Sequence, residues 1–259
     1  MTCKHLIRRR IINKEDLISL PTPVLFHIGK DDQKDNTNEL KDYVENAVFI
    51  GFNSLVGPKG EQGGNYPLPD MNEFAKKMMR IGLNPGSLVV IYSPMGLPFA
   101  ARFWWMLKTI GITGYVMYSA EELKNYEYTR PKIMNYETLV FDSSQTADYE
   151  EVRKHLKDPN YYMIDSRDED SYHALTSLGH IPGAHHHYYN ELLPDGVPDY
   201  PDINPLFPIE EEHNIILYCN AGITACVNAL LLESISIPYR IYVGGFSDWI
   251  THQDMTVEK

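Results

Sequence analysis

The stretch Ile215–Ser234, I-I-L-Y-C-N-A-G-I-T-A-C-V-N-A-L-L-L-E-S, holds a short apolar run, a thiol, a glycine-containing loop and an apolar segment with helical spacing. It reads as strand, Cys219, tight loop, helix. Ile215 to Tyr218 suit a buried parallel strand, while Ile223, Val227, Leu230, Leu231 and Ser234 recur at the three-to-four spacing of one helix face. A cysteine between two such elements lies at the mouth of a sheet. Loop N–H groups and the positive end of the helix dipole converge there, an arrangement that favours an anion. Two roles are open to Cys219 on this context alone: a nucleophile, or a buried structural thiol.

The 259 residues suffice for two domains of ordinary size, and 43% hydrophobic with 22% charged residues suits a globular chain with one or two cores. A formal charge of -12 and a pI near 5.2 set a general repulsion against nucleic acid and anionic membranes, so neither is expected as a partner. Cys3, Cys219 and Cys226 are odd in number and lack zinc-like pairing, which points to reduced thiols in a cytoplasm. Arg8, Arg9 and Arg10 precede an apolar stretch broken by Asn13, Lys14, Glu15 and Asp16, so no signal peptide or membrane span is expected.

Strands are expected at Val24–Ile28, Ala47–Ile50, Leu88–Tyr92 and Tyr115–Tyr118, with helices at Met71–Ile81, closed by Gly82, and Phe99–Ile110. Five glycines and three prolines between Gly51 and Asp70 mark a loop. From Ser119 to about Thr146 the chain is polar and weakly periodic, apart from Thr138–Phe141, which suggests a surface connection. Residues 1–130 are therefore read as one domain, 131–147 as linker and 148–259 as a second domain. The second opens with a helix at Tyr149–Leu156 and a strand at Tyr161–Ile164, followed by Asp165-Ser166-Arg167 and a short helix reaching about Leu178. The turn Gly179–Ala184 feeds a strand at His185–Tyr188, Leu193–Pro208 is irregular, and a strand at Tyr239–Val243 leads to a last helix around Phe246–Ile250.

Offset by 126 positions, Val89–Ala101 lies on Ile215–Val227, Tyr92 on Tyr218 and Gly96 on Gly222. The strand–loop–helix–strand unit is used twice. Ser93 then occupies the position of Cys219, and a hydroxyl with no basic partner identifiable in the sequence is not expected to react.

Four motifs together resemble the two-domain rhodanese-like sulfurtransferases: Asp165-Ser166-Arg167 followed by G-H-I-P-G-A at Gly179–Ala184; C-N-A-G-I-T-A-C at Cys219–Cys226; G-G-F-S-D-W at Gly244–Trp249; and A-A-R-F-W-W at Ala100–Trp105 after V-V-I-Y. The resemblance implies an α/β fold of two tandem domains, each a mostly parallel sheet flanked by helices, with only the second catalytic. It implies that Cys219 takes the sulfane sulfur of thiosulfate or 3-mercaptopyruvate, holds it as a persulfide and passes it to cyanide, a thiol or a protein. Arg167 and the loop Asn220, Ala221, Gly222, Ile223, Thr224 and Ala225 would then bind the donor, with no metal and no organic cofactor. Family members preferring thiosulfate look like C-R-K-G in the loop and those preferring mercaptopyruvate like C-G-S-G, whereas this chain has Cys219-Asn220-Ala221-Gly222. Tyr66 and Ser171 stand where the mercaptopyruvate enzymes carry a histidine and a second arginine. The donor therefore stays open, as does the oligomeric state.

Several residues have a plainer reading. Arg167 is able to pair with Asp165 or Asp168 instead of a donor. Arg102 suits an inter-domain ion pair better than a place in a cleft. His185, His186 and His187 alternate across a strand and cannot all meet one metal ion. His180 is expected to hydrogen-bond backbone in its turn, Cys226 to be a packed helix thiol and Trp104, Trp105 and Trp249 to be core or interface aromatics. Thr224 either caps the helix or donates to the sulfur. A phosphatase needs C-x5-R, and Ala225 occupies the arginine position. A non-enzymatic sulfur-carrier or regulatory module is the remaining alternative.

Overall fold

The structure, a computed structural model, describes residues 10–32, 44, 46–60, 63–119, 123, 126–131, 138–193 and 213–259. The chain divides into two compact units, one of 1–57 and 68–143, the other of 58–67 and 144–259. The first holds strands β1 (Ile11–Ile12), β2 (Val24–Gly29), β3 (Val48–Gly51), β4 (Val89–Tyr92) and β5 (Gly114–Met117), with helices α1 (Lys14–Ser19), α2 (Met71–Ile81) and α3 (Leu97–Thr109). The second holds β6 (Thr146–Ala147), β7 (Tyr161–Asp165), β8 (His185–His186), β9 (Asn214–Tyr218) and β10 (Tyr239–Tyr242). Its helices are α4 (Tyr149–Lys154), α5 (Glu169–Tyr172), α6 (Tyr189–Leu192), α7 (Ala225–Ser234) and α8 (Gly245–Trp249).

The two sheets have the same plan. Their orders are β1-β5-β4-β2-β3 and β6-β10-β9-β7-β8, and every described pairing is parallel. The repeat reaches individual hydrogen bonds: the hydroxyl of Tyr92 accepts from the Val44 N–H at 3.1 Å, and that of Tyr218 accepts from the Ile181 N–H at 3.1 Å. Leu25, Val90 and Tyr92 pack in the first core, and Met163, Ile216, Tyr218, Phe246 and Trp249 in the second.

In each unit the central strand carries the loop of interest: the chain leaves it for β5 or β10 on one side, while β2 and β3, or β7 and β8, occupy the other. The C-terminal end of β9 is such a topological switch point, the place where open α/β sheets form their clefts. Helix α2 shows how local chemistry fixes the frame: the Asp70 carboxylate accepts from the N–H groups of Asn72 and Glu73, and Gly82 closes the helix at φ 102°. Helix α7 departs from its expected stripe. Ala225–Leu232 are all buried, so it is covered on every side rather than along one face.

Other differences concern short elements. Strands β1 and β6 and helices α1 and α6 have too few residues to show a period, and β6 lies inside the stretch read as linker. The strand expected to reach Tyr188 stops at His186. Nearly all of Leu193–Pro208 lies outside the described residues.

Candidate active site

Strand β9 delivers Cys219 to the sheet's C-terminal end, where the thiol residue is 2% exposed. Gly222, at φ 69°, turns the following loop in a left-handed conformation that glycine adopts without strain. Asn220 is exposed, Ala221 and Gly222 are buried, Ile223 and Thr224 are half-buried, and Ala225 is buried as the first residue of α7. Among the described residues, the N–H groups of Asn220, Ala221, Ile223 and Thr224 have no hydrogen-bond acceptor. Unspent backbone donors in a turned loop ahead of a helix make a cradle for negative charge. Thr224 sits at the helix start without a side-chain capping bond, which removes one of its two expected roles. The Cys226 thiol donates to the Gly222 carbonyl at 3.2 Å inside the packed helix, bracing the turn.

The loop is held from outside by α8. The Phe246 N–H donates to the Cys219 carbonyl at 2.8 Å, and the Ser247 N–H to that of Asn220 at 2.9 Å. Gly245 makes this approach possible: a Cβ there would lie 2.9 Å from the Asn220 carbonyl and closer still to the Cys219 oxygen, at a φ of 60°. The G-G-F-S-D-W motif marked this segment, but its backbone grip on the nucleophile loop is a tertiary contact with no signal in spacing.

Arg167 takes the second of its two possible roles. Its Nε donates to the Asp165 carboxylate at 3.0 Å and its Nη2 at 2.5 Å, while Nη2 also reaches the Gly179 carbonyl at 2.8 Å and Nη1 the Ser177 hydroxyl at 3.4 Å. At 5% exposure it is a buried, forked ion pair. Burial opposes its charge, but the hydrogen bonds and charge of Asp165 outweigh that and hold its pKa above the ordinary arginine value. The guanidinium carbon lies 4.0 Å from the Phe246 ring centroid, so the pair supports the same residue that donates to Cys219.

The histidines divide by face. His185 stacks on Tyr162 with ring centroids 4.1 Å apart and His187 shares a hydrogen bond with the Tyr162 hydroxyl at 3.3 Å, whereas His186 Nε2 donates to the Arg167 carbonyl at 2.8 Å. His180 Nδ1 donates to the Tyr172 carbonyl at 3.1 Å, the backbone role expected of it. Asn228, absent from the sequence reading, is fully buried on α7; its amide donates to the Ser166 hydroxyl at 2.9 Å and the His187 carbonyl at 2.7 Å, tying the helix to the ends of β7 and β8.

In the first unit, the Ser93 hydroxyl donates to the Ile28 carbonyl at 2.8 Å and accepts from the Met95 N–H at 3.2 Å. Arg102, 1% exposed, lies over the Trp105 ring at 5.8 Å. Trp104, Trp105 and Trp249 are buried, and the indole N–H groups of Trp104 and Trp249 donate to the Gly114 and Thr256 carbonyls. Tyr66 is exposed. No described helix is long and apolar enough to cross a membrane.

Comparison with known proteins agrees with this arrangement. Residues 148–252 match the rhodanese-like domain. A probable 3-mercaptopyruvate sulfurtransferase of Pseudomonas aeruginosa is 29% identical over 211 residues, covering 73% of each chain. The 3-mercaptopyruvate sulfurtransferase of Escherichia coli K12 is 24% identical over 249 residues, covering 89% of this chain and 88% of its own. Among solved structures, an E. coli 3-mercaptopyruvate sulfurtransferase superposes with a TM-score of 0.70 at 22% identity over 92% of this chain and 99% of its own. The Tum1 protein of Saccharomyces cerevisiae gives 0.73 at 17% identity, covering 95% and 96%. These structural likenesses show the tandem α/β fold. With the rhodanese-like domain matched over residues 148–252 and the curated relatives, they support a rhodanese-like sulfurtransferase, similar to the thiosulfate and 3-mercaptopyruvate enzymes.

Proposed function

We propose that Cys219 is the sulfur carrier, that 148–259 is the catalytic domain and 1–130 a non-catalytic one, and that 3-mercaptopyruvate is the preferred donor. The observation carrying the first point is the placement of Cys219 at the end of β9, ahead of a loop whose N–H groups at Asn220, Ala221, Ile223 and Thr224 have no acceptor among the described residues. The Cys219 thiolate attacks the donor sulfur and forms an S–S bond as the donor's C–S bond breaks. The electron pair of that bond leaves with the pyruvate fragment, which takes a proton. The terminal sulfur of the persulfide, held anionic by the loop from Asn220 to Ala225, is then attacked by cyanide, a thiol or a protein acceptor. The S–S bond breaks and the Cys219 thiolate returns. The backbone donors act where charge gathers and need no reorganisation during the transfer.

Donor choice follows from charge. Thiosulfate is a compact dianion, and the loop from Asn220 to Ala225 contains no cation. Arg167 is engaged by Asp165, and Asn220, the exposed residue of the turn, offers only an amide. That set suits a singly charged keto-acid better than a dianion. The names of the Pseudomonas and E. coli relatives agree with this reading. A carrier thiol of this kind also requires a reducing compartment, for which the cytoplasm is the natural choice.

The test is a steady-state comparison of the two donors, with mass spectrometry of the Cys219 peptide after each. The expected result is one added sulfur on Cys219 and at least tenfold higher kcat/KM for 3-mercaptopyruvate. No sulfur on that peptide with either donor overturns the carrier assignment; a preference for thiosulfate overturns only the donor.

A further inference from the structure

We propose that Asp248 is a positioning residue for sulfur transfer, fixing α8 and the segment Gly63–Asn65 as a single clamp on the carbonyls of Cys219 and Asn220. This rests on Cys219 being the carrier. Asp248 is 5% exposed and both of its carboxylate oxygens are used. Oδ2 accepts from the Tyr242 hydroxyl at 2.6 Å, and Oδ1 accepts from the Gly63 N–H at 2.6 Å. His252 Nε2 lies 3.4 Å from Oδ1. Burial, reinforced by the hydrogen bond and charge of Asp248, holds the Tyr242 hydroxyl well above its ordinary pKa, so it stays a donor across the working range.

The neighbouring bonds show where this anchoring leads. Segment 58–67 packs with the second unit although it is early in the chain. Its Asn65 N–H donates to the Ser247 hydroxyl at 2.9 Å, and that hydroxyl donates to the Gly244 carbonyl at 3.2 Å. Gly64 runs so close to Gly244 that a Cβ on it would lie 2.8 Å from the Ser247 hydroxyl oxygen and 3.0 Å from the Gly244 carbonyl carbon. Ser247 and Phe246 then pass their N–H groups to Asn220 and Cys219. Asp248 thus lies two links from the nucleophile's backbone, and a five-residue helix has little stability of its own to keep those N–H groups in place. A carboxylate suits this place because it offers acceptors on two sides at once, to a backbone donor on one and a phenol on the other.

The experiment measures kcat per titratable Cys219 thiol, which discards misfolded protein, in the full chain with saturating donor and acceptor. Asp248→Asn replaces one acceptor with a donor facing a donor. Its kcat per thiol is expected to fall at least tenfold with the donor KM within threefold of wild type, and Asp248→Glu is expected to recover part of the loss. A kcat per thiol within twofold of wild type overturns the proposal, even if the thermal midpoint drops. Should Asp248→Asn fail to yield soluble protein, Tyr242→Phe removes a single hydroxyl from the same network. A fall of at least threefold per thiol supports the clamp, and an unchanged value overturns it. Sulfur uptake by wild-type Cys219 is measured alongside, so that failure of the carrier assignment is separable from failure of the clamp.

Discussion

At the residue scale, Arg167 shows how much a local motif says and where it stops. D-S-R after a strand singled out Arg167, and Asp165 was one of the two carboxylates within reach in the sequence. Spacing did not decide between pairing and donor binding, because that depends on where Gly179, Ser177 and Phe246 are brought by the fold. With the pair formed, Arg167→Met leaves the Asp165 carboxylate buried and uncompensated, a loss of about 3–5 kcal/mol. Arg167→Lys keeps the charge but not the fork, and is expected to recover only part of it. Chemical denaturation measures the stability; in whatever folds, the donor KM should stay near wild type. A donor KM raised tenfold by Arg167→Lys, at unchanged stability, would return the arginine to donor binding. Gly245 was less legible still, since its need to be glycine comes from the Cys219 and Asn220 carbonyls across the unit.

At the scale of elements, the two strand–loop–helix units test each other. The long, strongly patterned elements were visible in sequence: Met71–Ile81 has the bounds its spacing and caps predict, and β9 differs by one residue. The edge strands β1 and β6 were not, because two residues carry no alternation and such strands exist only through their partners β5 and β10. The described residues 58–60 and 63–67 are loop, as read, but the packing of Asn65 with a residue some 180 positions away left no mark in composition. The offset of the repeat did place Ser93 over Cys219, and the structure shows the Ser93 hydroxyl both giving and accepting a hydrogen bond. Those bonds hold the loop and, among the described residues, leave the oxygen no general base. Ser93→Ala is therefore expected to keep turnover within twofold while lowering stability by about 1 kcal/mol. Cys219→Ser, assayed beside it, should abolish turnover. A tenfold loss of turnover in Ser93→Ala would show that the first loop takes part in the chemistry.

At the scale of the whole molecule, pH acts on opposing charge sets. The chain carries a net charge of -12 at pH 7, so mild acid lightens its self-repulsion and by itself favours the folded state. The histidines beside Tyr162 act the other way. Burial first, then the nearby His185 and His186, push His187 down to about 4, and burial with His213 lowers His185. A histidine whose folded pKa lies below its unfolded value binds fewer protons when folded, so stability rises with pH across the interval between the two values. For His187 that interval runs from the ordinary 6.5 down to about 4, and the loss on acidification is complete only near its lower end. A shift of that size corresponds to roughly 3 kcal/mol, which partial exposure reduces to about 1–2 kcal/mol. Asp158 and Asp168, held below their ordinary values, contribute stability that is lost only as pH falls below about 4, so they leave the window clear. Because the His187 carbonyl is also an anchor for Asn228 on α7, charging this ring strains the strand end that the catalytic helix is tied to. Urea unfolding at pH 7 and pH 5 is expected to show wild-type stability lower at pH 5. In His187→Gln at least half of that difference should disappear. If the variant keeps the full wild-type pH slope, the acid sensitivity belongs to other groups and His187 is not its source.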